Sequence, residues 1–439
     1  MSKRVAVIGA GWAGCAAAVE LTRRGVNVSL MEASRTLGGR ARRVDLNGTA
    51  LDNGQHILLG AYRQTLRVMR QVGIDTDAAL LRLPLQLRFP PGSGMNFIAP
   101  RLPAPFHVLV ALLRATGLSG ADKIALMRFS SAARWMGWQL DNDCTVAALL
   151  SRFDQTETLV ELMWRPLCIA ALNTPPERAS AQIFLNVLKD SLGARRANSD
   201  MLLPRDDLSS LFPTKAAEAI VRQGGSVLTG TRIRQIARSS QGWALTTADG
   251  QDQQSVFDSV IVATDALSAA SLLAPLMDVS ELQSLAYEPI TTCYLQYPPD
   301  CRLAQPFNAL IDSVQHHQPG QFVFDRGQLF ANQAGLLAVV ISASTESIET
   351  SQAALVSAVA AQLASVFSRP QFATPLWSKV ISEKRATFSC TPGLVRPRNA
   401  TPLDGIVLAG DYTEGRYPAT LEAAVSSGLA ASGLLARSS

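Results

Sequence analysis

The chain opens on a short apolar run, Arg4–Ile8, that is hydrophobic at odd and even positions alike. That is the pattern of a strand buried on both faces of a parallel sheet. Glycines follow, then a helical stretch at Ala13–Arg24 stopped by Gly25, then a second apolar strand, Val26–Met31, ending at Glu32. This order predicts one βαβ unit. Leu83–Pro105 breaks the pattern with six prolines and reads as extended and loop-rich. Phe106–Leu118 is strongly apolar. Asp122–Leu140, Thr145–Phe153 and Thr156–Ala171 are expected to be helices. After Gly224-Gly225 come short strands at Ser226–Thr229, Arg232–Ala237 and Trp243–Thr247, a turn at Asp249-Gly250, and a buried strand at Val256–Ala263. Thr292–Tyr297, Gln321–Phe324 and Leu336–Ala343 predict a second sheet. Ser351–Phe367 predicts an amphipathic helix, Gly405–Ala409 a last strand and Ala419–Ala436 a last helix.

A length of 439 residues suits two domains or one large discontinuous fold. Hydrophobic residues make up 47% and charged ones only 17%, against about 25% in average soluble proteins. Either the core is large, or the surface meets an oily ligand, a membrane or another subunit. The net charge of +5 is mild, and no basic block with interleaved aromatics points to nucleic acid. A weak attraction to anionic membrane remains compatible with it. The six cysteines include no Cys-x-x-Cys pair and the four histidines no metal spacing, so no metal is expected and the thiols suit a reducing compartment. Val5–Gly14 reads as strand and turn, not a secretory leader. No run reaches the ~18 apolar residues of a spanning helix. The expected location is cytoplasmic, with peripheral contact on the inner face of the cell membrane through 106–118 as one reading of that apolar run and a buried helix as the other.

Gly9-Ala10-Gly11-Trp12-Ala13-Gly14 follows a strand and opens a helix. Gly9 permits the tight turn, Gly11 a close backbone approach to a pyrophosphate, and Gly14 close helix–strand packing, while the helix N-terminus faces the phosphates. Glu32, at the end of the second strand, is placed to accept ribose hydroxyls. NAD and FAD share this fingerprint.

Thr36-Leu37-Gly38-Gly39-Arg40, just past the acid, resembles the Gly-Gly-Arg element of the FAD-dependent amine oxidase and carotenoid desaturase superfamily. The resemblance implies FAD, with Arg40 helping to neutralise the pyrophosphate and Arg35 or Arg42 able to share that role. Leu408-Ala409-Gly410-Asp411 and the helix starting at Thr420-Leu421 match the far end of that superfamily, where the aspartate holds the ribityl chain and the helix N-terminus faces the flavin's pyrimidine edge. Val260–Thr264 matches its strand-to-turn element, so Ala263 and Thr264 join the cofactor contacts, as do Ile233, Ala13, Ala33, Gly54, Gln55 and His56. The implied architecture is α/β: a discontinuous Rossmann-like FAD domain (1–80, 201–265 and 395–439) and an α+β substrate domain with a mixed sheet and helices (81–200 and 266–394).

Two segments narrow the resemblance. Leu51–Tyr62 and Trp164–Glu177, continuing through Ala179–Gln182, look like the squalene-associated FAD-dependent desaturases, or hydroxysqualene dehydroxylases, of bacterial hopanoid pathways, and Leu203–Leu208 through Phe212-Pro213 fits as well. Arg165 departs from the pattern, which expects an acid there. The family implies that hydride from reduced flavin replaces the hydroxyl of hydroxysqualene, a C30 isoprenoid, giving squalene. An acid must protonate the leaving oxygen. His56 is a candidate because its pKa lies near neutral, and Asp52 and Tyr62 are the others. Asn173 and Glu177 are candidate pocket residues, although Asn-Thr-Pro-Pro is also a good helix terminator. An enzyme removing hydride from an isoprenoid, as phytoene desaturases do, an amine oxidase and a non-catalytic isoprenoid carrier are the rival readings. With no second nucleotide fingerprint, electrons are expected from an external donor or reductase.

Overall fold

The computed structural model describes residues 3–46, 48–193, 195–248, 255–313 and 315–437; the turn expected at Asp249-Gly250 lies outside them. Strands β1 (Arg4–Ile8), β2 (Asn27–Met31), β3 (Ser226–Leu228), β4 (Ser259–Val262) and β5 (Ile406–Leu408) form a parallel sheet in the order β3-β2-β1-β4-β5. Ile8 pairs with both Met31 and Val262, and Val262 with Leu408. The loops carrying Gly9, Glu32, Ala263 and Gly410 therefore emerge side by side along one carboxyl edge, where open α/β sheets bind ligands.

Residues alternate between the sheet's two faces. Val5, Val7, Val28, Leu30, Ile261 and Val407 pack with helix α1 (Trp12–Arg23) and the C-terminal helix Leu421–Arg437. Ala6, Ile8, Met31, Val260 and Val262 share the opposite core with a three-stranded antiparallel sheet, Ile233–Ser239, Gly242–Thr247 and Ser255–Phe257. The run Val256–Ala263, expected as one strand, is thus two. It changes sheets at Asp258, whose carboxylate accepts the Arg4 N–H at 2.7 Å and whose N–H donates to Arg4 O at 2.9 Å.

A second five-stranded sheet runs in the order Phe307–Ala309, Phe322–Asp325, Leu336–Ser342, Tyr287–Gln296, Trp377–Phe388. The α/β class holds, but this sheet, expected to be mixed, pairs antiparallel throughout. The connection from Asp325 to Leu336 is too short for the crossover that parallel pairing requires. Cys293, Leu295, Val339 and Ile341 on one face are covered by helix Gln352–Val366, whose N-terminus Ser351 caps. Tyr294, Phe322, Phe324 and Val340 face the other way.

The stretch from Thr156 is helical as expected, with a π turn at Val160–Trp164. Pro166 has no N–H to continue the ladder, and the N–H of Arg165 reaches back five residues to Val160 O. Two other stretches differ from expectation. Leu83–Pro105 holds a short hairpin, Gln86–Arg88 with Asn96–Ile98. The helix expected over Asp122–Leu140 spans Gly120–Trp135 and stops where Gly137 and Trp138 take positive φ. Among the described residues, no helix is long and apolar enough to cross a membrane.

Candidate active site

The turn after β1 brings its backbone to the head of α1. Gly9 has φ +102°, and a Cβ there would stand 2.7 Å from Ala263 O. Gly14 is tighter still: a Cβ would stand 1.9 Å from Gly9 O. Gly11 is the N-cap of α1 and supplies no side chain, and no acid occupies the first turn. The first intrahelical bond is Cys15 N–H to Gly11 O, so the N–H groups of the opening turn are left for an anion. Gly14 does not itself line the cavity in front of them. Its part is packing.

That cavity measures about 870 Å³. Along one end it is lined by Gly9, Gly11, Ala13, Glu32, Ala33, Gly39, Arg40, Ile233, Ala263 and Thr264, and further on by Gly54, Gln55, His56, Gly410, Asp411, Thr420 and Leu421. Glu32 is held by two backbone donors, Ala10 N–H and Ser34 N–H, both at 2.8 Å. Arg40 donates to Asp411 Oδ1 at 2.5 Å and to Ala386 O at 2.7 Å. Its guanidinium therefore lies on the aspartate and ties the Gly39 loop to β5 and the second sheet. Glu422, buried at the start of the C-terminal helix, accepts the N–H groups of Gln64 and Thr65 and caps the neighbouring helix Arg63–Gln71.

The three acid candidates separate. Asp52 does not line the cavity. It is 1% exposed, pairs with the fully buried Arg326 at 3.1 Å and accepts the Leu208 N–H at 2.8 Å. Burial pushes its carboxyl above the ordinary value, with Arg326 pulling the other way. Each of its oxygens accepts one protein donor, and the group is enclosed behind the cavity wall. Tyr62 lines the cavity beside Thr420, and burial raises its pKa so far that it stays a neutral phenol. His56 also lines the cavity, with Nδ1 2.9 Å from Gly54 O. A carbonyl only accepts, so Nδ1 carries the proton and Nε2 of the neutral ring is bare. Burial pulls its pKa below the ordinary 6.5.

The flavin containing amine oxidoreductase family matches residues 12–436. The chain belongs to that family. It is 28% identical to a hydroxysqualene dehydroxylase of Rhodopseudomonas palustris over 99% of both chains. It is 25% identical to a zeta-carotene desaturase of Synechocystis over 97% of this chain and 95% of that one. Its fold is shared with cyclohexylamine oxidase from Brevibacterium oxydans (TM-score 0.70, 18% identity, covering 100% of this chain and 99% of that one).

As a member of the flavin containing amine oxidoreductases, the protein uses FAD, and the residues present fit it. An uncapped helix start, a carboxylate at the end of β2 and a glycine-lined groove suit a dinucleotide, and the cavity continues well beyond them. Beyond them, alongside polar side chains such as Gln86, Asp190, Ser342 and Glu383, the lining holds a large set of carbon side chains: Leu87, Phe97, Met163, Leu167, Phe184, Phe307, Phe322, Phe324 and Val340. Apart from Leu167, which lies in the Trp164–Glu177 segment, these carbon residues carry no sequence motif, and only the alternation within the strands of the second sheet hinted at an inward face. The π turn contributes Met163 to this wall, and the helix that follows contributes Leu167; such turns recur at functional sites.

The two substrate candidates fare differently. Asn173 lines the cavity, but its amide is engaged: Nδ2 donates to Thr387 Oγ1 at 2.9 Å and Oδ1 accepts Ala343 N–H at 2.7 Å. It ends helix Arg165–Leu172 in the left-handed conformation, as a helix terminator does. Glu177 is exposed and lies outside the cavity lining, because the turn after Pro176 carries it to the surface. Arg165 likewise points away from the cavity and pairs with Asp312 at 3.0 Å.

Proposed function

We propose that the protein is a hydroxysqualene dehydroxylase serving hopanoid synthesis, replacing the hydroxyl of a C30 allylic alcohol with hydride to give squalene. The observation that carries this reading is the continuity of one cavity from a dinucleotide groove to a carbon wall. The likeness to the Rhodopseudomonas palustris dehydroxylase along nearly the whole chain supports it. Glu32 is assigned to the ribose, the opening turn of α1 to the pyrophosphate, and Asp411 with Arg40 to the ribityl chain. Bound reduced FAD supplies the hydride. The apolar wall excludes water from the allylic cation left when the C–O bond breaks, and the phenylalanine faces stabilise it. His56 in its protonated form gives the proton with which the hydroxyl leaves as water. Electrons reach the flavin from an external donor.

The test is direct. Purified yellow protein, photoreduced without oxygen and given hydroxysqualene, is expected to yield squalene. Oxidation of phytoene with no squalene formed would assign it instead to desaturation, and a colourless protein that cannot be reconstituted would make it a carrier.

If His56 is the acid, its depressed pKa sets the sign of the pH dependence. The protonated fraction shrinks as pH rises, so single-turnover rates of pre-reduced enzyme are expected to fall by about tenfold per unit above 6.5. His56→Gln is expected to lower the rate by about 10²-fold or more and flatten the profile. A rate that rises with pH would rule His56 out.

The 106–118 stretch is assigned to membrane docking. On helix Phe106–Arg114, Phe106, Leu109 and Leu113 are exposed, with Leu102 before them and Ile124 and Trp135 on the next helix. Val108 of the same helix lines the cavity. Arg101, Arg114 and Arg128 supply positive charge around the patch. Burying one such side chain in lipid contributes about 1.5–3 kcal/mol. Phe106→Asp with Leu113→Asp is therefore expected to weaken binding to anionic vesicles by at least about 100-fold, while flavin absorbance is unchanged. Vesicle binding equal to wild type would remove the assignment.

A further inference from the structure

Arg326 occupies an unusual place for a charge. It has no exposed surface, yet it follows directly on strand Phe322–Asp325 of the second sheet, whose Phe322 and Phe324 face the cavity. Its Nη1 is shared between Asp52 Oδ2 at 3.1 Å and Gln55 Oε1 at 2.7 Å. Its Nε donates to Gln333 Oε1, and Gln333 Nε2 is fixed in turn on Ala50 O at 2.7 Å. The guanidinium lies over the Phe330 ring, 4.2 Å from its centroid. Every contact that aims Arg326 at Gln55 is therefore locked.

Arginine has no acceptor, so the Gln55 atom it touches must be the carbonyl oxygen. The amide –NH2 is turned the other way. Among the described residues Nε2 donates to no protein atom, and Gln55 lines the cavity. Its neighbours place it at a seam. Asn53, bonded to Arg40 O at 3.1 Å, leads to the cofactor groove, and Phe324, two residues before Arg326, belongs to the carbon wall. The next residue, His56, faces the same cavity with a bare Nε2.

We infer that Gln55, aimed by Arg326, is the specificity-determining donor that receives the substrate's hydroxyl at this seam, its –NH2 donating to the alcohol oxygen while the alcohol O–H donates to Nε2 of the neutral, resting His56 ring; in the acid step the protonated ring donates to that oxygen instead. This rests on the dehydroxylase reading for the substrate class. A hydroxyl is both donor and acceptor and satisfies both side chains. The parent hydrocarbon leaves both unpaired, and a site built around a hydrogen bond rejects a ligand that lacks it. Arg326 is a positioning residue.

The test compares binding of hydroxysqualene and squalene to flavin-loaded protein, read from perturbation of the flavin spectrum. Gln55→Met removes the donor at similar volume. Gln55→Glu keeps an acceptor on Arg326 and cannot donate at neutral pH. Both are expected to weaken the alcohol about tenfold and to leave squalene within about twofold. Arg326→Lys keeps the charge opposite Asp52, and is expected to lower the same alcohol-to-hydrocarbon ratio by less. An unchanged ratio in both Gln55 variants overturns the inference. So does equal weakening of both lipids together with loss of flavin, which would give the donor to the cofactor. A wild-type protein that shows the ratio but forms no squalene sinks the reaction and spares the donor.

Discussion

Asp52→Asn is expected to destabilise the protein by about 3–5 kcal/mol, the cost of leaving a buried charge without its counter-charge. The asparagine keeps the size of the side chain and an acceptor for the Leu208 N–H, so little is lost but the charge. Arg326 has no other carboxylate among the described residues, and its Nη2 already lacks a partner. Water cannot replace Asp52, because the guanidinium is completely enclosed. Neutralising both ends gives the sharper result. Asp52→Asn with Arg326→Met removes the stranded charge, so the pair is expected to cost clearly less than the sum of the singles. Chemical denaturation of the flavin-loaded protein measures all four forms of the cycle. A single-variant cost below about 1 kcal/mol, or strict additivity, would show that the ion pair contributes little.

Gly14→Val is expected to abolish flavin binding. A Cβ at position 14 meets Gly9 O at 1.9 Å and Ala263 Cβ at 3.1 Å. Both neighbours belong to the sheet's carboxyl edge and have no rotamer to change, so α1 must move out. Moving it shifts the opening N–H groups away from the groove, and overpacking of this kind costs about 1–3 kcal/mol besides. The measurement is flavin absorbance per protein after reconstitution, with the unfolding midpoint alongside. Gly433→Ala is the control. Gly433 lies in the C-terminal helix with open space around it, so alanine is expected to stabilise by about 0.5–1 kcal/mol and leave the colour intact. A yellow Gly14→Val protein would overturn the packing argument.

Which parts of the molecule were legible follows from what each residue must satisfy locally. The glycine turn, Glu32 and the strand pairs around them obey rules written within about thirty residues, so the βαβ unit and its groove could be read directly. The edge strand Trp377–Phe388 could not. Half of it faces solvent, and its Glu383, Lys384 and Arg385 hide the alternation. Helices Ala181–Ser191 and Pro213–Arg222 were likewise not read, since their apolar positions are broken by polar residues that find partners only in three dimensions, as Gln182 does at Leu140 N–H and Trp138 O. Asp52 read as a chemical group because a carboxylate beside the motif looked free. Its partner lies 274 residues away, beyond the reach of any spacing rule. Glu177 read as a pocket residue from its place in a motif, whereas the turn that positions it also exposes it.

The parallel sheet has a consequence for biogenesis. Its outer strand β5, and Asp411 just beyond, emerge from the ribosome long after β1 and α1 have been made, because nearly the whole chain lies between them. Pairings this distant in sequence close slowly. FAD must therefore load after synthesis of most of the polypeptide, and until then the carboxyl edge lies open beside a nearly finished, oily cavity. Flavin supply during expression is then a determinant of yield, since a nascent chain waiting for its cofactor is the form most exposed to aggregation and proteolysis.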